Sequence, residues 1–431
     1  MTARRQRPAR RALATVAVLA SGLTTMTVAS VIPTSAAAAD PRPDAKAFLR
    51  QATQPAPLAS AGRPEALRGG QRSDLAAAVR GVVADGAVAM TVRAERDRFA
   101  LGAADGLRQW GERPPAGRNS PFRVASNTKM MVATLAMQLV EDGTWSLDTT
   151  VEDVWPGLIP GRGDEVTIEN LLQHSSGIPD GVFPVVTANT DGPTMADAVE
   201  ALEADYEPEQ VLEAALAQPW TFEPGTQAVY SNTGYIVLGM LLERATGAPL
   251  AHLLRDNVFW PAGMTGTAYL TETGLPKPAL VDTITADGQT YDLDGFDPEL
   301  FAAAGAVVST TKDLNAFTEA LATGRLVKPA TFERMRRTRP VQVTVDPQGS
   351  PVRVDYGLGV YRMPDPCEPG QFLWGHDGAT FGTLSYAVTS LDGTRQVSAG
   401  WTGREYNTDG SVSYNPMEAI DAALSATCGR G

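Results

Sequence analysis

Short apolar runs bounded by turn residues lie near both ends of the chain, and the middle carries apolar positions at helical spacing. Gly86 to Ala94 and Arg98 to Ala104 predict two strands paired around a turn at Glu95 to Asp97. Gly357 to Arg362, Thr383 to Ser390 and Arg395 to Thr402 predict three more, the last two joined by Asp392-Gly393, with a terminal helix over Pro416 to Ala426. In the middle, the spacing predicts helices over Lys129 to Asp142, Thr167 to Gln173, Tyr235 to Thr246 and Leu250 to Phe259. The first places Met130, Met131, Leu135, Leu139 and Val140 on its apolar positions, the pattern of a buried helix. Strands at both ends around a helical middle imply an α+β fold. One sheet, completed by distant parts of the chain and flanked by helices, would pack against a helix-rich lobe of about residues 124–305. No internal repeat is visible.

The ends change the picture. Arg4, Arg5, Arg7, Arg10 and Arg11 precede an apolar stretch from about Ala12 to Ile32 and then Ala37-Ala38-Ala39. That order predicts a secretory signal, residues 1–39, cleaved after Ala39; the rival is an uncleaved anchor of nearly spanning length. Its Thr, Ser and Gly content favours cleavage, so a secreted protein of the cell-wall space with no stable membrane span is expected. Residues 40–72 are rich in Pro, Ala, Gly and Arg and predict a flexible lead-in, with the folded unit at 73–431. Losing five arginines and no acid takes the net charge from -13 to -18, which argues against a nucleic-acid partner. Cys367 and Cys428 are the only cysteines. Export predicts that they form the single intramolecular bridge open to them; two free, buried thiols are the alternative.

The candidate chemistry starts at Ser126-Asn127-Thr128-Lys129, where a hydroxyl and an amine share one helical turn. A desolvated lysine can lose its charge there and accept the serine proton. Spacing alone does not decide, because only five lysines occur and Ser309-Thr310-Thr311-Lys312 repeats it. Thr310 and Asp313 form a capping pair ahead of Leu314 and Phe317, which leaves Lys312 on a solvent face. Ser126 instead precedes the buried helix and is the expected nucleophile. Tyr230-Ser231-Asn232 offers a phenol for proton transfer and a carboxamide for a substrate carbonyl or the lysine. His376-Asp377-Gly378-Ala379 offers a Gly-flanked strand edge whose N–H groups can face an oxyanion. His174 and His252 have no partners at metal spacing, so no metal and no cofactor are expected.

Ser126-x-x-Lys129, Tyr230-x-Asn232 and His376-x-Gly378 occur in the order and spacing of the penicillin-recognising serine hydrolases, and the chain resembles that family from about Ser73 to Cys428. Leu171 to Ile178, Ala304 to Thr310 and Tyr356-Gly357-Leu358-Gly359 look like further family landmarks, and the two cysteines match a disulfide of the actinobacterial carboxypeptidases. The resemblance implies a β-lactamase/transpeptidase-like fold with an antiparallel sheet. It implies that Lys129 and ionised Tyr230 take the Ser126 proton and that the Ser126 and Ala379 N–H groups hold the oxyanion. Asn232 would anchor the acyl donor and His376 would orient Tyr230. A D-alanyl-D-alanine carboxypeptidase acting on small peptides, β-lactams or peptidoglycan is the expected activity. The alternatives are a D-aminopeptidase, amidase or esterase, a class C-like β-lactamase, or a binding protein with a dead site. The family's carboxylate-binding Arg and Thr residues correspond here to Tyr361, Asp377 and Ala379, with Arg362 one position along and Arg404 as a candidate replacement cation. An Asp beside that site should repel an anion.

Overall fold

The strands from the two ends of the chain meet in one sheet. Eight antiparallel strands run in the order Phe99–Gly106, Ala89–Arg96, Arg395–Thr402, Thr383–Ser390, Phe372–Ala379, Tyr361–Pro364, Pro351–Tyr356 and Arg339–Val345. The computed structural model describes residues 44–52, 71–345, 350–407 and 411–428, the side chains of 51 and 52 excepted. The expected signal segment, 1–39, lies outside the described residues. Among the described residues no helix is long and apolar enough to cross a membrane.

The central strands Thr383–Ser390 and Arg395–Thr402 are buried at every position, and their two faces differ in kind. One face carries Leu384, Tyr386, Val388, Val397, Ala399 and Trp401, which pack with the helices Gln71–Ala84 and Met417–Thr427 through Leu75, Val79, Ile420 and Ala423. The other carries small residues, so backbone can approach it closely: a Cβ on Gly400 would lie 2.4 Å from the Phe122 ring. Against that face rest the helix Thr311–Ala322 and the turn that bears Ser126. Helices between Thr128 and Ala262 form the expected helix-rich lobe, and its apolar side chains join a second, larger core.

Several expectations are corrected. Residues 40–72 do not form only a flexible lead-in, because Ala45–Ala52 is a helix with Ala45, Phe48 and Leu49 buried. Those three positions are a helical stripe that the surrounding Pro and Ala content concealed. Gly357 to Arg362 is not one strand: residues 357–360 turn, closed by Gly357 N–H to Val360 O at 2.7 Å, and the strand starts at Tyr361. A side chain on Gly359 would lie 2.2 Å from Ala133 Cβ, so that turn sits directly on the helix of Lys129. His376 stands inside a strand rather than at its edge. Cys367 and Cys428 form the disulfide and tie the terminal helix to the loop before the His376 strand.

Candidate active site

The turn that bears Ser126 is fixed on both sides by packing and hydrogen bonds. Phe122–Arg123 pairs with Val307–Ser309, and Val124 N–H donates to Val307 O at 2.9 Å. Arg123 is buried against Asp282 at 2.8 Å, with its guanidinium over the Phe296 ring. Ala125 then adopts φ 49°, a left-handed conformation that an L-residue holds only when its surroundings impose it. Asn127 donates to Ser385 Oγ at 2.8 Å, and Ser385 donates to Val124 O at 2.7 Å, docking the turn on the small-residue face of the sheet. Ser126 therefore emerges between the sheet and the helix Thr128–Glu141.

Lys129 is fully buried and has three oxygen neighbours: Ser126 Oγ at 3.0 Å, Asn232 Oδ1 at 2.8 Å and Ala304 O at 2.9 Å. Two of these oxygens can only accept. A neutral amine would spend both N–H groups on them and leave its lone pair facing the serine hydroxyl. Burial lowers the Lys129 pKa to about 7, while Asp180 and Asp377 push it upward. The amine of Lys129 can thus act as a base near neutrality.

Tyr230 lies under the lysine, its ring centroid 4.8 Å from Nζ, with its hydroxyl buried and facing Ser126. Burial holds this phenol well above its ordinary value, against a smaller downward pull from Ser126. An ionised Tyr230 is therefore not the resting form, and the phenol is placed to donate.

The structure brings Ser126, Lys129, Tyr230, Asn232 and the 376–379 strand together, with one change of role, that of His376, while Asn232 takes the second of its two expected roles. His376 does not hydrogen-bond Tyr230; its Nε2 meets Tyr356 Oη at 3.0 Å, and burial lowers its pKa to about 3. Asn232 turns its oxygen to Lys129, and its amide nitrogen donates to Asp180 Oδ2 at 2.9 Å. Gly378 faces the turn that bears Ser126 so closely that a Cβ there would lie 2.9 Å from Ser126 N, which sets this strand beside the expected oxyanion donors. Ser309 ends a short strand and bonds Thr267 Oγ1 at 2.6 Å, while Thr310 caps the next helix and Lys312 is exposed.

The profile of the Beta-lactamase family matches residues 71–392. The chain belongs to that family. It has the family's fold. Among its relatives, penicillin-binding protein 4* of Bacillus subtilis (strain 168) is 28% identical over 309 residues, covering 67% of this chain and 62% of that protein. Penicillin-binding protein 4 of Amycolatopsis lactamdurans is 33% identical over 177 residues, 40% of this chain and 42% of that protein. The chain thus spans less than two thirds of the length of either relative. A D-stereospecific amidohydrolase from a Streptomyces species superposes with a TM-score of 0.70 at 27% identity, covering 83% of this chain and 99% of that one.

Two residues of this family member's site escaped the sequence reading. His174, at φ 55°, stacks on Tyr230 with ring centroids 4.2 Å apart and accepts from Ser231 N–H at 3.3 Å. Asp180 accepts from both nitrogens of Asn232. Asp377 lies on the His376 strand and Tyr361 on the strand paired with it. The Asp377 carboxylate lies 3.7 Å from His376 Nδ1, and burial together with Asp377 holds the Tyr361 phenol well above its ordinary value. Arg362 pairs with Asp355 at 2.8 Å, and Arg404 donates to Thr380 O at 2.8 Å with its guanidinium over Tyr406.

Proposed function

We propose that this enzyme forms an acyl-enzyme at Ser126 and prefers amide or ester donors with a neutral or cationic leaving side. Peptides ending in a free D-alanine carboxylate would then be its poorer substrates. The observation that carries this reading is Asp377, a carboxylate next to His376 at a position where the resembling carboxypeptidases carry a carboxylate-binding Thr, so that it would repel a terminal carboxylate. Arg362 and Arg404 are already engaged by Asp355 and Thr380. The 27% identical D-stereospecific amidohydrolase supports the same direction. The carboxypeptidase reading is the second, favoured by the penicillin-binding proteins among the relatives. The Arg-rich, then apolar start of the chain supports placing this chemistry outside the cytoplasm.

In this mechanism neutral Lys129 takes the Ser126 proton as Oγ attacks the donor carbonyl. The N–H groups of Ser126 and Ala379 hold the oxyanion. As the C–N or C–O bond breaks, Tyr230 gives its proton to the leaving atom and recovers one from the Lys129 ammonium. Water then releases the acyl group from Ser126 by the same steps in reverse.

The test compares matched D-alanyl-D-alanine donors as amide and as free acid, with Ser126→Ala as the control and labelled penicillin as the probe for acylation. A kcat/KM at least about tenfold higher on the amide is expected, equivalent to about 1.4 kcal/mol of discrimination. Faster turnover of the free acid would establish the carboxypeptidase instead, and labelling of Ser126→Ala would remove Ser126 as nucleophile.

A further inference from the structure

Asp180 lies 52 residues before Asn232 in sequence, yet its carboxylate takes up two of that residue's three donor hydrogens. Oδ2 accepts from Asn232 N–H at 2.7 Å and from Asn232 Nδ2 at 2.9 Å, and Oδ1 accepts from Val182 N–H at 3.0 Å. A carboxylate only accepts, so the amide nitrogen of Asn232 must face it and the amide oxygen must face away. The oxygen then meets Lys129 Nζ at 2.8 Å. We propose that Asp180 is a positioning residue of the hydrolytic site, which aims Lys129 at Ser126 by fixing the Asn232 carboxamide.

The chain of contacts runs from carboxylate to carboxamide to amine to hydroxyl, and each link has its donors and acceptors matched. Without Asp180 the carboxamide is free to turn its N–H groups toward Lys129. The lysine would then lose one of the two acceptors that hold its lone pair on the serine. Burial raises the Asp180 pKa, while the hydrogen bonds it accepts from Asn232 and Val182 and the charge of Lys129 pull it down; the ionised form adds a second effect. The groups facing Lys129 are Ser126, Tyr230, Tyr235, His174, His376, Asp180 and Asp377. Burial keeps the two tyrosines and two histidines neutral at pH 7, so the carboxylates are the ionic groups that favour the ammonium. Removing one lets Lys129 release its proton at lower pH.

This inference goes beyond the choice of donor, and its first readout needs no substrate. With only five lysines in the chain, the Lys129 Cε signal can be followed by NMR through a pH titration. In Asp180→Asn, the Lys129 midpoint and the acid limb of kcat/KM on an activated ester should both move down by about one pH unit. At the plateau, kcat should fall at least about tenfold with KM nearly unchanged. Asp180→Asn in an Asn232→Ala background should add little further loss of kcat, because the two act as one unit. Asp180→Glu should restore the midpoint. A midpoint and acid limb that stay at the wild-type pH overturn the proposal, as does full additivity with Asn232→Ala. If Asp180→Asn does not fold, Asp180→Ser is judged by the same readouts.

Discussion

Lys129 carries a cost that the proposed mechanism requires. In the unfolded chain its amine titrates near 10.5, and burial brings it to about 7 in the folded protein. Between those pH values the unfolded chain holds a proton that the folded one lacks, so stability rises with pH across this window. Below about pH 7 both states are protonated and the dependence stops. His174 and His376, with lowered pKa values, act at lower pH; Glu299, raised to about 8, acts in the opposite sense below that value. Subtracting a Lys129→Met variant cancels these groups. The difference in unfolding free energy, wild type minus variant, should grow by about 1 kcal/mol per pH unit between pH 7 and 9, measured by urea denaturation. A flat difference would mean that Lys129 titrates as an ordinary lysine and that another group is the base. Ser126 and Lys129 were legible in the sequence because one helical turn joins them. Asp180 and His174 were not, because only the fold brings them within hydrogen-bond or stacking distance of residues more than 50 positions away.

At the level of elements, legibility followed burial. Thr383–Ser390 and Arg395–Thr402 were readable to the residue because both faces are covered and Gly393, at φ 69°, marks the turn between them. Arg339–Val345 and Pro351–Tyr356 escaped because they are half-exposed and contain Arg and Pro, which weaken the strand pattern. Phe372–Ala379 escaped for a functional reason, since Gly375 and Gly378 break its apolar alternation. Both glycines are required by contact: a Cβ on Gly375 would lie 1.9 Å from Ala387 O, and one on Gly378 would lie 2.5 Å from Val124 O. The second contact presses the strand against the turn that bears Ser126. Gly378→Ala must therefore separate the two elements to which the proposed mechanism assigns the oxyanion donors. A loss of about 10²-fold in kcat/KM is expected, the size of removing one such donor, with a lower melting temperature. Wild-type kinetics in this variant would show that the strand and the turn need not touch for catalysis.

Across the whole molecule, the helix Ala45–Ala52 joins parts that are far apart in sequence. Ala45 N–H donates to Pro193 O at 3.0 Å, and the helix packs on two helices of the helix-rich lobe, 182–188 and 195–202. On its other side Phe48 meets Tyr406 edge-on, with ring centroids 4.7 Å apart, and Phe381 at 6.3 Å. Phe381 sits in the turn after the His376 strand, and Tyr406 donates to its carbonyl at 2.7 Å. One buried phenyl ring thus couples the helical lobe to the end of the strand that lines the site. Phe48→Ala removes a fully packed ring from the larger core and should cost about 3 kcal/mol or more. Because Phe48 touches the turn rather than Ser126, penicillin labelling at Ser126 should survive well below the new melting temperature and disappear earlier on heating. A change under about 1 kcal/mol would mean that this helix lies on the surface without bracing the core. Loss of labelling in a fully folded variant would mean that the brace positions the His376 strand as well as stabilising it.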